Sequence, residues 1–367
     1  MESKTLDFTG LKIPRDYMIE NRLYRKDIEQ VARILLPWDE LKNKSFLITG
    51  ASGLIGSFLI DVLMYKNIND DLNCKIYAIG RNVEKAKAIF GVYWNRPCFV
   101  FISHDINERL DLDSVENVDY VLHMASNTHP IAYSTDPIGT ITANIIGTNN
   151  MLEFAVKHRA QRFAFASSNE IYGENRGDTE LFSENYCGYI DSNTLRAGYP
   201  ESKRCGEALC QAYKKQKGLN VVIPRFTRSY GPTMLMSDTK AISQFIRRSI
   251  AGEDIVLKSE GNQFYSYTYV ADAVSGLLTV LLKGKSGEAY NIADEASDIK
   301  LKDLAEILAE LAGKQVIFEL PDEVEKAGYS VATKARLDGS KLQKLGWSAT
   351  YDIRRGLERT VSILGKS

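Results

Sequence analysis

No apolar run in this sequence approaches the ~18 residues that a membrane-crossing helix needs. The opening stretch, Met-Glu-Ser-Lys-Thr-Leu-Asp, lacks the apolar region of a signal peptide. Neither charge is in excess: lysine plus arginine is 46 against 47 acidic residues, a formal net charge of −1. That balance argues against nucleic acid or an anionic membrane as the main partner. The five cysteines, Cys74, Cys98, Cys187, Cys205 and Cys210, are odd in number and show no CxxC pair, so neither a disulfide framework nor a structural zinc is expected. There is no internal repeat and no low-complexity tract. A reduced, soluble, cytoplasmic protein without metal fits these absences, and 367 residues suffice for two domains or one domain with a sizeable lobe.

What the chain does have is Ser45-Phe-Leu-Ile-Thr-Gly-Ala-Ser-Gly-Leu-Ile-Gly56, an apolar run that ends in Gly50, Gly53 and Gly56. Phe46 to Ile48 read as a buried strand, and Leu54, Ile55, Phe58, Leu59, Val62 and Leu63 follow at helical spacing. Strand, glycine turn and helix in that order present free backbone N–H groups and the positive end of a helix dipole to a diphosphate. Glycines permit the approach that a Cβ would block. A dinucleotide is the expected ligand, cradled by Gly50, Ser52, Gly53, Leu54, Ile55 and Gly56.

Some forty residues precede this stretch, and Ile28 to Leu41 carry an amphipathic pattern interrupted by Pro37, read as a helical extension (1–43) that braces the body or a partner subunit. After the turn, Lys75 to Ile79 reads as a second strand ending in Gly80-Arg81, where an acidic residue would favour a free ribose 2′-hydroxyl and an arginine a 2′-phosphate. Pro97 to Ile102 is a third strand, followed by His104-Asp105-Ile106 where an adenine ring would lie. Asp119 to Ser126 is a fourth, ending in His123, Met124, Ala125 and Ser126. His123 lacks metal-type neighbours and reads as a packed or hydrogen-bonded histidine. Thr140 to Lys157 reads as a long helix, Arg162 to Ala166 as a fifth strand, Tyr199 to Lys217 as a helix and Asn220 to Pro224 as a further strand. Strands alternating with helices predict an α/β fold, a Rossmann-type doubly wound parallel sheet over 44–230. From Gly231 on, short helices (Ile242 to Ile250, Leu301 to Leu311) and short strands predict a smaller C-terminal substrate lobe, 231–367, interleaved with it.

Tyr199-Pro-Glu-Ser-Lys203 puts a phenol and an ammonium four residues apart, one face of a helix. A nearby cation favours the phenolate and lowers a tyrosine pKa toward a usable base. Ser168 supplies a hydroxyl at the end of the fifth strand. With these residues the chain resembles the extended short-chain dehydrogenases/reductases, the NAD-dependent epimerase/dehydratase family that acts on nucleotide sugars. The resemblance runs from about Lys44 to Trp347. It rests on TGASGLIG (Thr49 to Gly56), HDI (His104 to Ile106), HMASNTHP (His123 to Pro130), DPIGTITANIIGTNNML (Asp136 to Leu152), SSNEIYG (Ser167 to Gly173), YPESK (Tyr199 to Lys203) and YGPTM (Tyr230 to Met234). The segment from HDI through NNML looks most like the UDP-glucuronate decarboxylases.

The resemblance implies that Tyr199 takes the proton of a sugar 4-hydroxyl as the 4-hydride passes to a nicotinamide. Lys203 would hold the nicotinamide ribose and lower the tyrosine pKa, and Ser168 would hydrogen-bond the reacting oxygen. The 4-keto sugar then loses CO2, loses water or is reduced on its other face, in that order of preference. Glu170 falls where decarboxylases and dehydratases carry a working glutamate. Asn169 replaces the aspartic acid of one dehydratase branch and disfavours that branch. The cofactor set is the glycine turn with Arg81, Asp105, Ile106, Met124, Ala125, Ser126, Tyr199 and Lys203; the cofactor is NAD(P), leaning to NADP because Gly80-Arg81 lacks a carboxylate. The substrate set is Ser126, Asn169, Arg228 and Tyr265. Relatives usually have asparagine where Arg228 stands and arginine where Tyr265 stands, so Arg228 is read as taking over the substrate's diphosphate, with Tyr265 lining the nucleotide or sugar. That exchange argues for a shifted substrate and against the ordinary decarboxylation. The resemblance also implies a homodimer through the helices Thr140 to Lys157 and Tyr199 to Lys217, whose Ile145, Met151, Leu152, Leu209 and Tyr213 exceed one buried stripe. Two other readings stand beside this one: an NADPH-dependent reductase of a nucleotide-linked keto or open-chain sugar, which Arg81 favours, and a non-catalytic cofactor sensor, which the joint presence of Ser168, Tyr199 and Lys203 disfavours.

Overall fold

A computed structural model describes residues 15–112, 117–128, 133, 135–319 and 333–365. Eight strands form one sheet: β1 (Ser45–Thr49), β2 (Lys75–Gly80), β3 (Phe99–Ser103), β4 (Tyr120–His123), β5 (Arg162–Phe165), β6 (Ser167–Ser168), β7 (Val221–Phe226) and β11 (Ala289–Ile292). The spatial order is β3-β2-β1-β4-β5-β7-β11, with β6 beside β7 past the end of β5, and every pairing is parallel. Strand order reverses between β1 and β4, and the crevice beyond the carboxyl ends there is where an open parallel sheet binds ligands.

Both faces are covered, which is why the strands read as continuous apolar runs. Alternate residues go to opposite cores. Phe46, Ile48, Ile76, Ala78 and Leu122 pack with Phe58, Leu59, Val62 and Leu63 of the Leu54–Asn69 helix and with the Val270–Lys283 helix. Leu47, Ile79, Val121, Phe163, Phe165 and Val221 pack with Met151, Leu152, Phe154 and Ala155 of the Pro137–Lys157 helix and Cys210 of the Gly198–Lys217 helix. Met151 and Leu152, expected at a subunit contact, are thus fully buried against the sheet, with Leu209 and Tyr213 packed beside them. The Pro137–Lys157 helix begins earlier than expected because Asp136 caps it, accepting the Gly139 N–H at 3.0 Å, with Pro137 in the first turn.

A second sheet joins β8 (Arg228–Tyr230), β10 (Phe264–Tyr269), β12 (Asp298–Lys300) and β14 (Lys334–Ala335), and β9 (Ile255–Leu257) pairs with β13 (Val316–Phe318). The helices Ala241–Ala251, Leu301–Ala312 and Ile353–Leu364 pack around them. The N-terminal extension differs from the expected helix over Ile28 to Leu41. Helices Arg15–Glu20 and Arg22–Ala32 come first, the second capped by Asn21, and Pro37 leads into a short 3-10 turn at Trp38–Leu41. Residues 1–14 of the extension, and His129 and Pro130 of the HMASNTHP motif, lie outside the described residues. Among the described residues no helix is long and apolar enough to cross a membrane.

Candidate active site

The registers of β1, β4 and β5 bring Thr49, His123 and Phe165 into one row. The chain segments that leave this row are the expected cofactor and catalytic loops. The Thr49 hydroxyl accepts the N–H groups of Met124 and Ala125, both at 3.1 Å, and its remaining hydrogen points to His123 Nδ1 at 2.8 Å. Burial, and then the Lys203 charge, push the His123 imidazole down to about 3. His123 is therefore neutral at ordinary pH and part of the floor, with its Nδ1 taken by Thr49. No group of metal-binding side chains occurs among the described residues.

Above Thr49 the glycine turn is shaped as a cradle. Gly50 has φ +68°, and a Cβ there would lie 2.7 Å from the Met124 carbonyl. A Cβ on Gly56 would lie 2.6 Å from the Gly50 oxygen, so the helix start can approach the turn this closely only without a side chain. Gly53 is the N-cap of the Leu54–Asn69 helix and offers no side-chain oxygen to its first N–H groups. Those donors and the helix dipole suit a diphosphate, so the residues present fit a dinucleotide. Asp105 and Ile106 lie beyond β3, and Asn150 fixes that turn through the carbonyls of Ile106 and Asn107, each at 2.9 Å. Ile106 also fills the space over Gly147. Arg81 is exposed just past the end of β2. Lys85, which the sequence reading missed, is close enough for the Arg81 charge to add to the burial that pushes its amine down.

Tyr199 lies one residue into the Gly198–Lys217 helix and is buried. Ser168 accepts the Glu170 N–H at 3.2 Å and is near enough to Tyr199 to favour its phenolate. Lys203 is 2% exposed, bonds the Ala166 carbonyl at 2.9 Å, and sits 4.8 Å over the Phe165 ring. Burial pushes its amine down to about 8, against the opposing charge of Glu207. The Tyr199 phenol moves opposite to expectation. Burial pushes it well up, the Ser168 hydrogen bond draws it back, Glu170 raises it and Arg196 lowers it. Lys203 lies 6.0 Å from the Tyr199 ring centroid, and its hydrogen bond goes to Ala166.

The structure adds two residues to the expected set. The Tyr133 ring stacks on Tyr199 with centroids 4.9 Å apart, and the Arg196 guanidinium lies over Tyr133 at 4.9 Å. Arg196 Nη2 also pairs with the Glu170 carboxylate. Ser168, Glu170, Arg196, Tyr133 and Tyr199 thus form a closed ring of contacts. Arg196 was legible in principle, as a cation one turn before the tyrosine; Tyr133, in a polar stretch without periodicity, was not. Asn169 is buried beside this ring and Ser126 is half-buried.

Arg228 and Tyr265, both read as substrate contacts, touch each other. The guanidinium carbon lies 3.5 Å from the Tyr265 ring centroid, and Arg228 Nη1 is buried with no hydrogen-bond partner among the described residues. The register places Ser168 opposite Phe226, and Arg228 is two residues further along in β8. The cation therefore belongs to the carboxyl-end side of the sheet, with Ser168.

Comparison with known proteins matches this architecture. UDP-glucuronic acid decarboxylase 6 of Arabidopsis thaliana is 32% identical over 319 residues, 86% of this chain and 87% of that protein. UDP-glucuronic acid decarboxylase 1 of Xenopus tropicalis is 31% identical over 333 residues, 89% of this chain and 73% of that protein. The structure of UDP-glucuronic acid 4-epimerase from Bacillus cereus, in complex with UDP-glucuronic acid and NAD, superposes with a TM-score of 0.74 at 25% identity, covering 87% of this chain and 98% of that one. A dTDP-glucose 4,6-dehydratase from Streptomyces venezuelae shares the fold with a TM-score of 0.73 at 24% identity, over 87% and 96% of the two chains. Residues 46–293 match the model of the NAD dependent epimerase/dehydratase family, to which this chain belongs.

Proposed function

We propose that the protein converts a nucleotide sugar through a 4-keto intermediate, using a resident NAD(P). The observation that carries this reading is the pair of buried side chains Ser168 and Tyr199, electrostatically coupled at the carboxyl ends of the sheet, with Lys203 and Glu170 beside them. Tyr199 takes the proton of the sugar 4-hydroxyl and Ser168 donates to the same oxygen. The nicotinamide supplies a reversible two-electron acceptor, so the sequence of steps is redox-neutral. Decarboxylation leads the possible outcomes, ahead of dehydration and epimerisation, because the curated relatives at 31–32% identity are UDP-glucuronic acid decarboxylases. A 4-ketone makes the C6 carboxylate a β-keto acid. The C5–C6 electron pair then passes into the C4 oxygen, where Ser168 and Tyr199 hold the developing charge.

For the cofactor, Gly80 brings no carboxylate and Arg81 with Lys85 puts two cations at the end of β2, which favours NADP(H). The same pair favours the second reading, a net reductase drawing on NADPH. Among substrate contacts, Arg228 is the diphosphate partner, its buried Nη1 unpaired among the described residues while Tyr265 supports its face. Ser126 and Asn169 line the sugar. The protein works as a homodimer through the Pro137–Lys157 and Gly198–Lys217 helices.

The test is a mass-spectrometric screen of nucleotide sugars with the wild type and Tyr199→Phe, with and without NADPH. The expected result is loss of CO2 from a nucleotide hexuronate without added NADPH, slowed ~10²–10⁴-fold in Tyr199→Phe. Gain of two hydrogens only when NADPH is supplied would establish the reductase instead, and undiminished turnover by Tyr199→Phe would remove the mechanism.

A further inference from the structure

Arg196 holds more hydrogen-bonding capacity than the described residues use. One nitrogen, Nη2, is engaged by Glu170, and the flat face of the guanidinium rests on Tyr133 at 4.9 Å. Nε and Nη1, on two different edges of the group, are buried and meet no hydrogen-bond partner among the described residues. Buried N–H groups of a cation are costly to leave unpaired and are normally satisfied. Here they stand in the wall that carries the catalytic tyrosine, since Tyr133 stacks on Tyr199 at 4.9 Å. The stacking and the Glu170 pair both fix the guanidinium plane, so its free edges are held in place before a ligand arrives.

We propose that Arg196 is the residue that recognises the carboxylate of an anionic sugar, and that it thereby selects nucleotide hexuronates over neutral nucleotide hexoses. This inference rests on the reading of the site given above, because it places the sugar 4-hydroxyl at Tyr199. C6 of a hexuronate is bonded to C5, the neighbour of C4, so its carboxylate comes within reach of the group one ring away from Tyr199. A carboxylate and the adjoining sugar oxygens offer the two acceptors that Nε and Nη1 lack, in charge-assisted bonds shielded from water. A neutral hydroxymethyl group offers one uncharged acceptor. Glu170 has a complementary part: by occupying Nη2 it keeps the guanidinium from turning away, and its negative charge limits how tightly the substrate anion is held.

The experiment compares binding of UDP-glucuronic acid and UDP-glucose to the NAD-loaded enzyme by calorimetry, in the wild type, Arg196→Met and Arg196→Lys. The wild type is expected to prefer UDP-glucuronic acid. Arg196→Met should weaken UDP-glucuronic acid by about ten- to a hundredfold, the range of a lost charged hydrogen bond, and leave UDP-glucose within about twofold. Arg196→Lys keeps the charge without the fork and should lose an intermediate part of the preference. Should Arg196→Met not fold, Arg196→Lys carries the comparison alone. Equal weakening of both ligands would show a merely structural arginine, and an unchanged preference, or none in the wild type, would overturn the inference. The screen of wild-type products stands apart from this measurement, so failure of the 4-keto reading and failure of the arginine's role are distinguishable.

Discussion

At Lys203 the demands of folding and of the proposed chemistry point in opposite directions. The amine is 2% exposed, and it donates a hydrogen bond to the Ala166 carbonyl at 2.9 Å. Burial lowers it from an ordinary 10.5 to about 8, with Glu207 and Cys210 only partly opposing. Below about pH 8 both the folded and the unfolded chain hold the proton, and the native state carries the full desolvation cost. Between about 8 and 10.5 the unfolded chain binds more protons, so stability rises with pH across that window. Lys203→Met, which fills the same space without charge, is expected to be more stable than the wild type below pH 8 by about 1–3 kcal/mol, with the gap closing toward pH 10.5. Its turnover should be lost. Thermal unfolding of both proteins at pH 7 and pH 10 checks this, and a variant no more stable at pH 7 would mean that the Ala166 bond outweighs the burial.

Among the elements, the Arg22–Ala32 helix shows how the N-terminal extension is tied to the body. Its Asp27 is fully buried and accepts the hydroxyls of Tyr269 at 2.7 Å and Tyr351 at 2.8 Å, and Arg359 Nε at 2.7 Å. One carboxylate thus joins the extension to β10, to the segment before the last helix, and to the Ile353–Leu364 helix itself. A second link, Tyr24 to Asp61 at 2.5 Å, holds the same helix to the Leu54–Asn69 helix behind the glycine turn. Burial pushes the Asp27 carboxyl up, while Tyr269 and Arg359 favour its charged form. Asp27→Ala leaves a half-buried guanidinium and two phenols without their acceptor and is expected to cost about 3–5 kcal/mol. The urea midpoint measures this, and a shift of under about 1 kcal/mol would show the extension to be dispensable. Extra stability from Asp27→Asn would instead implicate the desolvated charge.

Across the whole molecule, what the sequence disclosed and what it withheld divide by range. β1, the glycine turn and the following helix were legible because a buried strand, a left-handed Gly50 and an apolar stripe are local signals. The convergence of Tyr133, Glu170 and Arg196, and of Arg228 with Tyr265, joins residues up to 63 positions apart by side-chain contact alone. Asp27 was read as part of no pattern, because its partners lie 242, 324 and 332 positions away. The proposed dimer face shows the same division. Periodicity could count apolar residues on the Pro137–Lys157 helix but not assign them to its two sides. Met151 and Leu152 went to the sheet, whereas Ile138, Ile141 and Ile146 remain 75%, 36% and 45% exposed. Ile141 and Ile145 line a shallow groove with Pro137, Leu195, Ala197 and Gly198. The turn on its far side, Leu195–Ala197, is the one that carries Arg196 and leads into Tyr199. A partner seated there would hold this turn as well as cover the isoleucines. Light scattering is therefore expected to find a dimer at micromolar concentration, and Ile138→Glu with Ile141→Glu to find a monomer. Since the groove borders the proposed substrate wall and the glycine turn follows β1, that double variant should raise KM for the nucleotide sugar about tenfold while cofactor affinity stays within about twofold. A wild-type monomer would dispose of the dimer, and a monomeric variant with unchanged KM would show that the interface and the site are independent.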